Sequence, residues 1–155
     1  MSKFARLLIL ALFALAGAIP AGAQAPRVDQ VDIFEAGVYE AGPTNSLQFV
    51  SKTTDIPGRI GTKFGFRYAI RGPQSALPVE ILLVTKLPQR LGQVDPATGQ
   101  RRFRIEDIVT ARVGGANVSG YSFDAAWEIV LGEWTFEVWI AGAKRAEQRF
   151  NIVRP

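Results

Sequence analysis

Cysteine and histidine are both absent from the 155 residues, and methionine occurs once. Each absence removes chemistry. Without cysteine there is no thiolate nucleophile, and without histidine there is no Ser-His-Asp triad, no histidine-ligated zinc and no imidazole general base. A calcium loop of the D-x-[DN]-x-[DN]-G type is missing, and the glycines of FGF, VGG and LGE lack the spacing and following helix that cradle a phosphate. Helical periodicity is missing beyond the first two dozen residues, although IEDIVTARV has room for one turn. An enzyme built from this chain has only carboxylates, Lys, Tyr or Ser to work with.

What is present begins with MSKFARLLILALFALAGAIPAGAQ. Lys3 and Arg6 form a short positive region, Leu7 to Ile19 is apolar, and Ala21-Gly22-Ala23 has the small-x-small pattern that signal peptidase accepts. We therefore expect a secretory signal peptide over residues 1–23, cleaved after Ala23. The apolar run falls short of the roughly 20 residues that span a bilayer as a helix, an uncleaved anchor being the alternative. No cysteine follows it to carry a lipid, and no twin-arginine pair precedes it. The expected location is the periplasm or the medium, with no stable membrane span after cleavage.

Residues 24–155 then form a single domain, long enough to be held by its core without disulfides. Lys3 and Arg6 depart with the signal, so the net charge of +4 falls to +2. That weakens a nucleic-acid reading, which needs a concentrated basic face.

Period-two alternation runs through most of this domain. VDIFEAGVYE (31–40) starts as a strand, and Ala36-Gly37 shifts its phase as a bulge does. LQFVSKTT (47–54) alternates, and DIPGRIG (55–61) reads as a turn. In KFGFRYAIR (63–71), Phe64, Phe66, Tyr68 and Ile70 face one way while Lys63, Arg67 and Arg71 face the other, the mark of a half-buried antiparallel strand. VEILLVTKL (79–87) is apolar on both faces, as an inner strand is. DPATGQ (95–100) is a turn leading into a strand RRFRIEDIVTARV (101–113). VGGANVSG (113–120) is a break, YSFDAAW (121–127) a short strand or corner, and Glu133–Ile140 with Lys144–Val153 a closing hairpin. About eight short strands with frequent turns and no alternating helices predict an all-β, antiparallel, two-sheet sandwich of immunoglobulin-like arrangement; a small closed barrel is the alternative.

Five side chains are candidates for partner contact. In GEWTFEVWIAG, Trp134 shares a face with Phe136 and Val138 and reads as core, whereas Trp139 falls among Glu133, Thr135 and Glu137 on the polar face. An exposed indole there can stack on a sugar or anchor a partner; packing under a loop is the plainer reading. Arg67 and Arg71 share one strand face, and Arg102 and Arg104 another. Such forks suit phosphates and carboxylates, although arginines also solvate a face or protect an edge strand. Trp127 is placed to plug one end of the sandwich. The carboxylates are scattered, with no pair singled out for glycosidase chemistry. No catalytic, metal or cofactor residue is expected.

Several stretches resemble a family of small exported bacterial proteins known as a domain of unknown function. FGFRY (64–68) and GEWTFEVW through the terminal F-x-I/V (132–153) carry the likeness most densely, supported by VDIFEAGVYE, DPATGQ and YSFDAAW. The resemblance implies a periplasmic all-β domain and supplies no activity, cofactor or catalytic residue. The functional expectation is a non-enzymatic periplasmic binding module that meets an envelope protein or polymer. A small carboxylate-dependent hydrolase acting on envelope glycans and an accessory subunit of an envelope complex are the alternatives.

Overall fold

The computed structural model describes residues 26–43, 46–73, 77–88 and 92–155; the expected signal peptide lies outside them. Alternation builds the strands. KFGFRYAIR becomes β4 (Lys63–Arg71), and its inward residues Phe64, Phe66, Tyr68 and Ile70 are all buried. Its neighbour β1 (Gln30–Ala41) pairs with it antiparallel and slips register between Phe34 and Gly37. Glu35 takes φ 49° at that slip, so the bulge expected at Ala36-Gly37 is present.

Two sheets form. The first has the order β2-β1-β4-β9, with β2 (Leu47–Lys52) and β9 (Ala116–Ser122) at its edges. The second has the order β3-β11-β10-β5-β8 and comprises β3 (Asp55–Pro57), β5 (Pro78–Lys86), β8 (Arg104–Arg112), β10 (Gly132–Ile140) and β11 (Ala143–Val153). The apolar-on-both-faces segment β5 is an inner strand, as its composition implies. A two-residue ladder of β6 (Gln93–Val94) with β7 (Arg101–Arg102) closes the DPATGQ turn. The β10–β11 hairpin turns on Ala141 (φ 51°) and Gly142 (φ 74°), the paired positive φ values of a tight type I′ connection. The result is a sandwich of immunoglobulin-like build, and no sheet closes into a barrel.

Four local expectations are corrected. DIPGRIG is not turn throughout: Asp55–Pro57 runs parallel to Asn151–Val153, because pairing with the last strand outweighs the turn chemistry of Pro57. RRFRIEDIVTARV is two strands broken at Phe103, so Arg102 pairs with Gln93 while Arg104 pairs with Lys86. IEDIVTARV is strand along its paired length, with no helical turn. In VGGANVSG only residues 113–115 break the chain, and Ala116–Gly120 belongs to β9.

The core lies between the sheets. Phe64 is its hub, with ring centroids 5.3 Å from Phe123, 5.4 Å from Phe150, 5.7 Å from Phe136 and 5.9 Å from Trp134. Most of these contacts are edge-to-face, each worth about 0.5–1.5 kcal/mol beyond area burial. Trp134 is fully buried and its indole N–H donates to the Val130 carbonyl at 2.8 Å. The sequence-based assignment of Trp134 to the core therefore holds.

Candidate functional site

The two sheets end side by side at β8 and β9, and along this open side lies a cleft of about 520 Å3. From the first sheet it takes Lys63, Gly65, Val118, Gly120 and Tyr121, and from the second Leu83, Asp107, Ile108 and Val109. Gly65 and Gly120 stand opposite each other in the β4–β9 ladder. A Cβ on Gly65 would lie 2.2 Å from the Ser119 carbonyl oxygen, and one on Gly120 would lie 2.4 Å from that of Phe64. Backbone thus approaches backbone so closely that only glycine fits, and the surface there is left bare.

The rim carries apolar side chains. Leu47, Ile108 and Val118 are all exposed and all line the cleft. Polar side chains line it as well, Lys63, Thr85, Asp107, Ser119 and Tyr121 among them. Lys63 Nζ lies 3.4 Å from Ser122 Oγ, which in turn donates to Asp124 Oδ1 at 2.9 Å. Tyr121 is held from behind: fully buried Gln93 donates through Nε2 to its hydroxyl oxygen at 3.0 Å, and that hydroxyl donates to Glu128 Oε1 at 3.3 Å. Burial raises the Tyr121 pKa above its ordinary value, so the phenol remains a neutral donor at the cleft wall. Asp107 is the single carboxylate among the described lining residues. It sits on the inward face of β8 between Ile105 and Val109, a charge where alternation calls for an apolar residue.

The residues singled out from sequence do not converge here. Arg67 stands beside the cleft on the outer face of the first sheet. It pairs with Glu35 at 2.9 Å and donates to the Leu47 carbonyl at 3.0 Å, so it pins one rim residue in place. Arg71 pairs with Asp32 at 2.8 Å near the far end of the same face. Arg102 caps the Trp127 ring, its guanidinium carbon 5.3 Å from the ring centroid. Trp127 lies in the 3-10 turn Ala126–Glu128 and is half-buried. Arg104 pairs with Glu106 on the exposed side of β8.

Trp139 is on the opposite outer face, that of the second sheet, and is half-buried. Its indole N–H donates to Glu137 Oε2 at 2.8 Å. Glu137 also receives Lys86 Nζ at 2.6 Å and lies 3.5 Å from Lys144 Nζ. Burial pushes the Glu137 carboxyl up, but hydrogen bonds from Lys86 and Trp139 and the charges of Lys86 and Lys144 outweigh it, so the pKa is lowered. Trp139 is therefore a ligand of a carboxylate within its own sheet. The cleft itself was missed from sequence. Its available signals were the strand-interior glycines Gly65 and Gly120 and the inward charge Asp107.

Among the described residues no group of three or more acidic side chains is placed to hold a metal ion, and no helix is long and apolar enough to cross a membrane. No curated protein matches the chain. A crystal structure of an immunoglobulin-like protein from Pseudomonas aeruginosa is 35% identical over 85% of this chain and 100% of its own, with a TM-score of 0.65. Parts of two fungal enzymes, a β-D-glucoside glucohydrolase from Trichoderma reesei and a β-glucosidase from Chaetomella raphigera, also match. Each is 12% identical over 82% of this chain and 18% of its own, with a TM-score of 0.34, too low to carry any argument. The family model for a domain of unknown function (DUF3859) matches residues 29–152, and the chain belongs to that family.

Proposed function

We propose that this protein is an exported, non-enzymatic binding module of the cell envelope, and that it meets its partner through the cleft between β8 and β9. The observation that supports this reading is that three exposed apolar residues, Leu47, Ile108 and Val118, line one concavity that also carries polar side chains. Concave, largely apolar surfaces with a small number of placed polar groups are the usual form of a binding site. A glycan hydrolase needs two carboxyls facing each other across the substrate, and the described cleft residues supply one, Asp107. The same apolar rim suits an accessory subunit that docks on an envelope complex.

Photo-crosslinking in intact cells tests the reading. A crosslinking residue at Val118 is expected to give a discrete envelope product, while one at Ile60, similarly exposed but away from the cleft, gives none. Equal labelling from both positions, or none from Val118, overturns the assignment of the cleft. Export is checked separately by N-terminal sequencing: a chain beginning at Gln24 supports it, and one beginning at Met1 rejects it.

A further inference from the structure

The edge strands on either side of the cleft are defended unequally. Edges are blunted by shortness, proline, lysine, a bulge or an inward-pointing charge, because their open row of N–H and C=O groups otherwise accepts another strand. The strand β8 carries such a charge, Asp107. Its counterpart β9 carries none: its seven residues, ANVSGYS, include no proline and no charged side chain, and its ladder with β4 runs without a register shift. The open row of β9 can be placed. Phe123 donates its N–H to the Thr62 carbonyl and accepts from the Gly61 N–H, so it faces the chain leading into β4. Alternation along an antiparallel ladder then turns the backbone groups of Val118, Gly120 and Ser122 the other way, on the side of the cleft that all three line.

At the cleft the first sheet stops short of the second. Tyr121 of β9 packs on Trp134 of β10, with ring centroids 5.2 Å apart, and β8 lies two strands beyond β10. The inward residues Trp134, Phe136, Val138 and Ile140 of β10 are all buried, whereas on β8 Ile105 and Val109 are half-buried and Asp107 is exposed. Asp107 has no hydrogen-bond or ion-pair partner among the described residues. Lys63, the one cation among the described lining residues, is turned to Ser122 instead. We infer that the partner enters the cleft as an extended polypeptide segment and pairs antiparallel with β9 along Val118–Ser122. Its inward side chains cover β8 and are apolar except for one Lys or Arg that meets Asp107. An open row of amides and carbonyls complements another main chain, and an apolar row interrupted by one unpaired carboxylate complements alternating apolar side chains with a cation among them. This inference rests on the reading of the cleft as the binding site and names the class of partner it takes.

Amide chemical shifts of isotope-labelled protein, titrated with the blocked peptide Thr-Val-Thr-Lys-Thr-Val-Thr, provide the test. The Val118 and Gly120 amides should move. Replacing the peptide's lysine by glutamate should weaken binding by about tenfold, and Asp107→Lys should invert that preference. Asp107 is exposed, so folding, checked by circular dichroism, is not expected to suffer. N-methylation of the threonines flanking the lysine removes the N–H groups that face β9 and should abolish binding. The inference is overturned if no peptide shifts the β9 amides, if the shifts lie elsewhere, or if the lysine preference survives Asp107→Lys. Two further readouts separate this failure from failure of the cleft itself. If Val118 still crosslinks in cells, or an N-acetylglucosamine oligosaccharide moves the same amides, the cleft remains a binding site and only the polypeptide partner is rejected. Absence of crosslink and of every shift rejects both.

Discussion

Trp139 donates its indole N–H to Glu137 at 2.8 Å on the solvent side of the second sheet, where Glu137 is nevertheless only 3% exposed. The indole covers the carboxylate, and Lys86 and Lys144 neutralise it. Trp139→Phe keeps an aromatic ring and removes the donor. We expect a loss of about 1–2 kcal/mol, since a hydrogen bond to a charged group is worth roughly that much. Urea unfolding measures it, and an unchanged midpoint would show that the bond carries no stability.

Two buried groups contribute to the pH dependence of stability on opposite limbs. Glu137 has a folded pKa below its ordinary value of 4.5. Its contribution is therefore complete above about pH 4.5 and is lost as pH falls through the lower folded value. At the other end, burial pushes the Tyr68 phenol from 10.0 up to about 12. Its contribution is complete below pH 10 and is lost as pH rises towards 12. Melting temperature should accordingly decline on both limbs. Glu137→Gln should make the acid limb shallower and Tyr68→Phe the alkaline one, each leaving the other limb as it was.

The two glycines under the cleft should behave unlike a third in a turn. Gly120→Ala places a Cβ 2.4 Å from a backbone oxygen of the central strand β4, which can yield only by parting the ladder. We expect about 3 kcal/mol or more of destabilisation. Gly99→Ala has no atom within 4 Å of the new Cβ and meets only the strain of φ 68°. About 1 kcal/mol is expected there. Thermal melts of the two variants side by side decide it, and similar losses would contradict the close approach at Gly120.

Phe64 touches five other aromatic rings, from Tyr121 at the cleft wall to Phe150 on β11. Phe64→Ala should cost about 3–5 kcal/mol, enough to unfold a domain of ordinary stability. Phe64→Leu, which refills most of the volume, should remain folded with a lowered urea midpoint. Equal behaviour of the two would mean that the site collapses freely around a cavity.

Much of the fold was legible from local pattern. Phe64 to Ile70 alternate strictly, and all four inward residues are buried as their spacing demands. Trp134 and Trp139, five residues apart, fall on opposite faces of one strand for the same reason. The errors came where neighbours far along the chain overrode local chemistry. Asp55–Pro57 has the composition of a turn and becomes a strand because Asn151–Val153 lies beside it. Phe103 breaks what reads as one strand because β7 and β8 belong to different sheets.

The candidate site was less legible still, since none of Trp139, Arg67, Arg71, Arg102 and Arg104 lines the cleft. Their charges and rings are absorbed by near partners: Glu137, Glu35, Asp32, Trp127 and Glu106. Sequence alone determined the chemistry this protein lacks, the all-β class and the inward faces of β4 and β10. Those follow from composition and from the fixed period of two along a strand. Tertiary structure alone decided which strands became edges, and hence where the cleft lies. Strand order is set by contacts between residues distant in the chain, as when Gly65 meets Gly120, and no local pattern encodes such a meeting.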